Sequence, residues 1–300
     1  MFSYDDFKKC SNEYRSAPFW SWNDELNKEE LIHQIHEMNK QGMGGFFMHP
    51  RGGLVDKYLG DSFMEAVKAC VKEAEKLEMK AWLYDEDRFP SGFAGGMVFK
   101  ENPEYAARAV QMMRLDCSQI KKDEDVVKIY LYRGKDDIID VTEMDESEIQ
   151  KVVGELLVFK LVKLPGQLAF DNVSYTDLCN KEAVDTFIKI THEAYKKTVG
   201  QYFGGVIPGI FTDEPHFSAR LREGIALPWT YNFEKEFKEK KGYDIMENLP
   251  KLFLNIGNFR KIRFDFWDVI SSMFVNSFTK NIYNWCEKNG IKFTGHFWEH

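Results

Sequence analysis

The chain contains no run of about 18 apolar residues, the length a helix needs to cross a bilayer. Its opening, Met1-Phe-Ser-Tyr-Asp-Asp-Phe-Lys-Lys9, sets acids and lysines where an export signal requires a continuous apolar core. A membrane partner is therefore not expected, and a cytoplasmic location is. Cysteine is sparse: Cys10, Cys70, Cys117, Cys179 and Cys286 are odd in number, scattered, and form no C-x-x-C. That argues against a disulfide framework and a zinc ribbon, and leaves reduced thiols in a core. Basic charge is not in excess, since 40 Lys and Arg stand against 48 Asp and Glu, a net charge of -8. Without a basic face the chain has no footprint for phosphates, so a nucleic-acid partner is excluded. No G-x-G-x-x-G opens a helix, which argues against a dinucleotide-binding sheet. H-x-H, H-E-x-x-H and the spaced Asp/Asn loop of calcium sites are missing as well. No oligomeric state is assigned.

What the 300 residues do hold is apolar and aromatic material, 44% and 15%, enough for a sizeable core. A rhythm of strand then helix runs through them. Residues 17–22 read as a short aromatic strand, followed by a helix capped by Asn27, with Glu30 completing a capping box and Gly42 closing it. Residues 44–50 form a second strand ending at His49, and a helix starts at Asp61. Lys80 to Tyr84 is the third strand, ending in Asp85-Glu86-Asp87 and the loop 88–96. Residues 106–115, 126–132 and 155–164 read as strands separated by charged turns, a β-rich insertion. The α/β rhythm resumes with a helix capped by Asn180 and a fourth strand over 206–212 that delivers Asp213-Glu214-Pro215-His216. A short helix over 232–241 and one long helix over 264–288 follow, the latter with Phe266, Trp267, Ile270, Met273, Phe274, Phe278 and Ile282 inward. A fifth strand begins at Ile291 and ends in His296, Trp298, Glu299 and His300.

Strands alternating with helices imply right-handed crossovers and a parallel sheet. Because every strand ends in polar, aromatic or ionisable residues, and such ends share one face of a barrel, the expected fold is an α/β chain of (β/α)8 TIM-barrel type. About five units are present, so the barrel is incomplete. The expected division is 1–101 for the first three units, 102–171 for the inserted β-rich subdomain, and 172–300 for the continuation through strand five.

Five stretches in order carry a resemblance: residues 17–23, residues 44–50, Tyr84-Asp-Glu86 with Pro90-Ser-Gly92, Phe211-Thr-Asp-Glu-Pro215, and Gly295-His296. Together they resemble the catalytic domain of the α-L-rhamnosidases of glycoside hydrolase family 106 and their relatives, over nearly the whole chain outside the insertion. The resemblance implies an inverting glycosidase with a calcium ion near the sugar hydroxyls. Such proteins are usually far longer, with β-domains after the barrel, and many are exported.

Glycoside hydrolysis needs one carboxylic acid to protonate the leaving oxygen and a second carboxylate to activate water or attack the anomeric carbon. Glu214, at a strand end in Asp-Glu-Pro, is the candidate general acid. Glu86 on strand three and Glu299 on strand five are candidates for the second role, Glu86 preferred. Neighbouring strands lie about 4.8 Å apart, which allows the roughly 5 to 9.5 Å of both retaining and inverting pairs. Sugar contacts are expected from Trp20, Trp22, Asn23, His49, Arg51, Asp85, Asp213, His216, His296 and Trp298, since aromatic faces suit sugar C–H faces and polar ends suit hydroxyls. Phe89 and Trp229 join the aromatic candidates, and core packing is expected for at least half of that set. No cofactor is required by the motifs; if calcium is held, Asp85 and Asp87 are the oxygen ligands expected. Two other readings stay open: a metal-dependent barrel hydrolase using His49, His216, His296 and His300 with Asp85 and Glu214, and a non-catalytic carbohydrate-binding or truncated barrel fragment.

Overall fold

The computed structural model describes residues 4–135, 137–166, 172–217, 219, 221 and 223–297. Ten strands occur among them: β1 (Phe19–Trp22), β2 (Gly45–Pro50), β3 (Lys80–Tyr84), β4 (Arg108–Asp116), β5 (Val126–Gly134), β6 (Asp137–Asp140), β7 (Glu155–Lys163), β8 (Gly209–Asp213), β9 (Ile225–Trp229) and β10 (Lys292–His296). The chain divides into two compact units. One comprises Met1–Pro103, Glu182–His216 and Thr279–His300, the other Glu104–Lys181 and Phe217–Phe278.

The first unit holds a parallel sheet in the order β1-β2-β3-β8-β10. Its strands therefore succeed one another across the sheet as they do along the chain. The helix Lys28–Lys40 starts where the Asn27 side chain accepts the Glu30 N–H at 3.0 Å. The returning half of the capping box is not made, because the Glu30 carboxylate accepts from the Gln34 side chain instead. Gly42, at φ 83°, ends this helix in the left-handed conformation that lacks a penalty only for glycine. The helix Asp61–Lys76 buries Phe63, Ala66, Val67, Cys70, Val71 and Ala74 on one face. Mixed α/β architecture is thus as expected. The closure into an eight-stranded barrel is not seen among the described residues, whose five parallel strands form an open sheet.

Close approach of β10 to β8 depends on Gly295. A Cβ there would lie 2.0 Å from the Thr212 carbonyl oxygen, and its φ of 142° suits no L side chain. Gly295→Ala is expected to destabilise the protein by about 2–4 kcal/mol, read as a lowered urea midpoint; an unchanged midpoint would show that the two strands can separate freely.

The second unit holds an antiparallel sheet ordered β6-β5-β7-β4-β9. Its core gathers Cys117, Ile129, Leu131, Ile149, Leu156 and Val158. β9 comes from the stretch that sequence rhythm assigns to the barrel continuation, yet it pairs with β4. Pro228 hides it as a strand, and the fold tolerates that proline because β9 is an edge strand, where one side of the ladder needs no donor. β6 is only four residues long and bounded by aspartates, so its pattern is too short to read. The long helix is observed as Phe259–Phe274, a π turn over Val275–Thr279, and Lys280–Lys288. Ile262, Phe266, Ile270, Phe274 and Phe278 are buried in the second unit, and Ile282 in the first. Trp267, one residue past Phe266, is exposed rather than inward. No helix among the described residues is long and apolar enough to cross a membrane. The thiols of Cys70, Cys117, Cys179 and Cys286 are buried and unbonded to one another, and Cys10 is half-buried.

Candidate active site

Side chains alternate along β1, so Trp20 and Trp22 face the helices while Phe19 faces the other side of the sheet. Trp22, 2% exposed, packs edge-on against Phe63 of the helix Asp61–Lys76. Trp20 donates its indole N–H to Gln34 at 2.8 Å and packs on Phe46. Trp22 is therefore a packing residue, and Trp20 is half-buried against the helix Lys28–Lys40. Phe19, by contrast, is 52% exposed and meets Phe47, Tyr84 and Phe211. On that face His49, Tyr84 and Phe211 stack in succession, with centroids 3.8 and 5.1 Å apart.

The carboxyl ends of β2, β3, β8 and β10 bring together His49, Arg51, Asp85, Glu86, Asp213, Glu214 and His296. Asp213 is the hub. Its Oδ2 accepts from the Tyr84 hydroxyl at 2.5 Å, and its Oδ1 lies 2.6 Å from His296 Nε2. Tyr84 is itself fixed from behind, its carbonyl accepting from the Tyr195 hydroxyl at 3.0 Å. Burial, the bond to Asp213 and the acids nearby hold the Tyr84 phenol far above its usual range, so it remains a donor.

Glu86 is 1% exposed. Its Oε1 lies 3.4 Å from His49 Nε2, and its buried Oε2 has no hydrogen-bond partner. Burial first, then Asp213 and Asp85, push its pKa up to about 9, with Arg51 opposing. Burial also raises Asp85 to about 7, although hydroxyls of Ser91 and Thr212 hold it back. His49 moves the other way, down to about 4, through burial and the Arg51 guanidinium 3.5 Å from its Nε2. Both shifts favour the uncharged forms, a protonated Glu86 beside a neutral imidazole. Glu214 differs in being half-buried, and in holding φ 41° at the end of β8, where its N–H donates to the His296 carbonyl at 2.9 Å. A non-glycine residue in that region carries strain of order 1–3 kcal/mol, which surrounding bonds must sustain.

Other expected site residues are placed differently. Asp85 is fully buried and accepts from the Ser91 hydroxyl, so it supports the wall rather than lining the mouth. Asn23 is exposed in the loop after β1, beside Gly53. His216 is half-buried after β8, and Phe89 is exposed. Trp229 packs on Phe233 and Phe266 in the second unit. Trp298, Glu299 and His300 lie outside the described residues. The sequence pattern does not mark Tyr84, Tyr195 or Ser91 as site residues, though alternation along β3 puts Tyr84 on the face opposite Leu83.

Two groups among the described residues bring possible metal-ligating atoms within 4.8 Å of one another: His49, Glu86 and Asp213; and Asp213, Glu214 and His296. Neither suits calcium, which takes six to eight oxygens, because each offers one imidazole and two carboxylates, and both oxygens of Asp213 are already hydrogen-bonded. Asp85 and Asp87, the ligands expected for that ion, belong to neither group; the Asp87 carboxylate lies over Gly95.

No protein-family model matches the chain, and no curated protein matches it in sequence. Among solved structures, the chain is similar to a rhamnosidase from Novosphingobium sp. PP1Y, with a TM-score of 0.63 over 99% of this chain at 11% identity. At that identity the likeness is one of fold. The match covers 47% of the rhamnosidase chain, so this chain spans less than half its length.

Proposed function

We propose that the chain carries the acid end of a glycoside hydrolase site that removes a terminal sugar, an α-L-rhamnoside in the first instance, with inversion. The observation that carries this reading is Glu214: a half-buried carboxyl at the mouth, turned out of β8 by a strained backbone, beside a wall of hydrogen-bonding groups. The similarity of fold to a rhamnosidase supports the choice of sugar. Glu214 protonates the glycosidic oxygen as the bond to the anomeric carbon breaks. His296 and Arg51 offer polar atoms to the sugar hydroxyls, and Phe19 offers an exposed ring; His49 is buried against Glu86.

The second carboxylate has to be ionised to act on water. Glu86, buried and with its pKa raised to about 9, fits that role less well than Glu299, the other candidate in the sequence. A panel of aryl glycosides, including the α-L-rhamnoside, tests the proposal. Turnover of at least one member, lost in Glu214→Gln, is the expected result. Binding of a sugar without turnover of any member would show a carbohydrate-binding module instead.

A further inference from the structure

The Pro90-Ser-Gly92 loop has no part in the chemistry above, yet it reaches the strand that carries Glu214. Ser91 is fully buried. Its hydroxyl accepts the Asp213 N–H at 2.7 Å while donating to Asp85 Oδ1, and its own N–H donates to the Asp213 carbonyl at 2.8 Å. Both main-chain groups of Asp213 are thus taken by a single residue from another loop. Gly92, at φ 111°, lets the loop turn away immediately afterwards. One residue past the end of β8, the Glu214 N–H is held by the His296 carbonyl. The two peptide units that flank Asp213, the second of which carries the Glu214 N–H, are therefore pinned, from the β3 loop and from β10.

We propose that Ser91, anchored on Asp85, is a positioning residue that clamps the end of β8 and so holds Glu214 in its left-handed conformation at the mouth. A left-handed glutamate would relax toward extended backbone if its neighbours allowed it, and the acid would swing with it. Asp85 anchors the clamp, which accounts for a fully buried aspartate that no substrate can reach. The clamp's effect on rate rests on the reading of Glu214 above; its effect on the backbone does not.

Ser91→Ala removes the acceptor of the Asp213 N–H and the donor to Asp85. Expected are a fall in kcat of about 10- to 100-fold with KM within about threefold, as for a misplaced catalytic group. Amide exchange at Asp213 should quicken about tenfold or more, with exchange at Phe46 and Met48 of β2 unchanged. Ser91→Thr, which keeps the hydroxyl, should restore both. The clamp is overturned if exchange at Asp213 is unaltered in Ser91→Ala, if β2 quickens as much as β8, or if kcat survives while exchange changes. Should the wild-type chain turn over no glycoside, the functional reading fails, and exchange at Asp213 still decides whether the clamp exists.

Discussion

Glu214→Gln is expected to lower kcat toward an aryl glycoside with a poor leaving group by about 10²- to 10⁴-fold, leaving KM nearly unchanged. Glutamine keeps the volume and the strained turn but has no proton to give. The loss should shrink sharply for a sugar carrying an aryl group acidic enough to depart unprotonated, because bond cleavage then needs no general acid. That difference between leaving groups separates the proposed role from two others. A residue that only binds sugar would raise KM for both substrates. A nucleophile or base would lose rate equally with both, and such an equal loss would refute Glu214 as the acid.

Much of the frame of this site was legible before any coordinates. Strand ends at His49, at Tyr84 and near Asp213 follow from buried apolar runs halted by polar residues, and the parallel order of β1, β2, β3, β8 and β10 repeats their order along the chain. What the pattern could not carry was side-chain direction relative to the two faces of one short strand. Trp20 and Trp22 looked like sugar platforms because they sit at a strand end, but alternation sends them to the helices and Phe19 to the open face. The electrostatic roles were hidden as well. Glu86 and Glu214 each follow an aspartate at a strand end, and only burial distinguishes them: one is sealed among Asp85, Asp213 and His49, the other is half-buried. The Ser91 bonds join positions 122 residues apart in the chain, a separation at which composition and periodicity are silent.

Glu86→Gln is expected to flatten the fall of stability between about pH 7 and pH 9. The folded carboxyl titrates at about 9 against an ordinary 4.5, so between those values the unfolded chain has released a proton that the folded chain retains. Raising the pH therefore favours unfolding: the contribution is complete below 4.5 and is lost as pH climbs to about 9, with a limiting slope of about 1.4 kcal/mol per pH unit. Asp85 acts in the same sense but is spent by about 7. His49 acts oppositely, since a folded value of about 4 against 6.5 costs stability as pH drops through that interval. Above about pH 7 these two terms have ended, and Glu86 carries the remaining fall. Water entry and side-chain relaxation reduce the full linkage value, leaving a loss on the order of 1–2 kcal/mol for the wild type from pH 7 to 9. Glutamine occupies the same space without titrating, so the variant should gain relative stability across that window. Urea midpoints at pH 7, 8 and 9 for both proteins measure it. Parallel lines would mean that Glu86 is ionised in the fold; turnover lost in Glu86→Gln at pH 7 but kept in Glu299→Gln would then return the second catalytic role to Glu86.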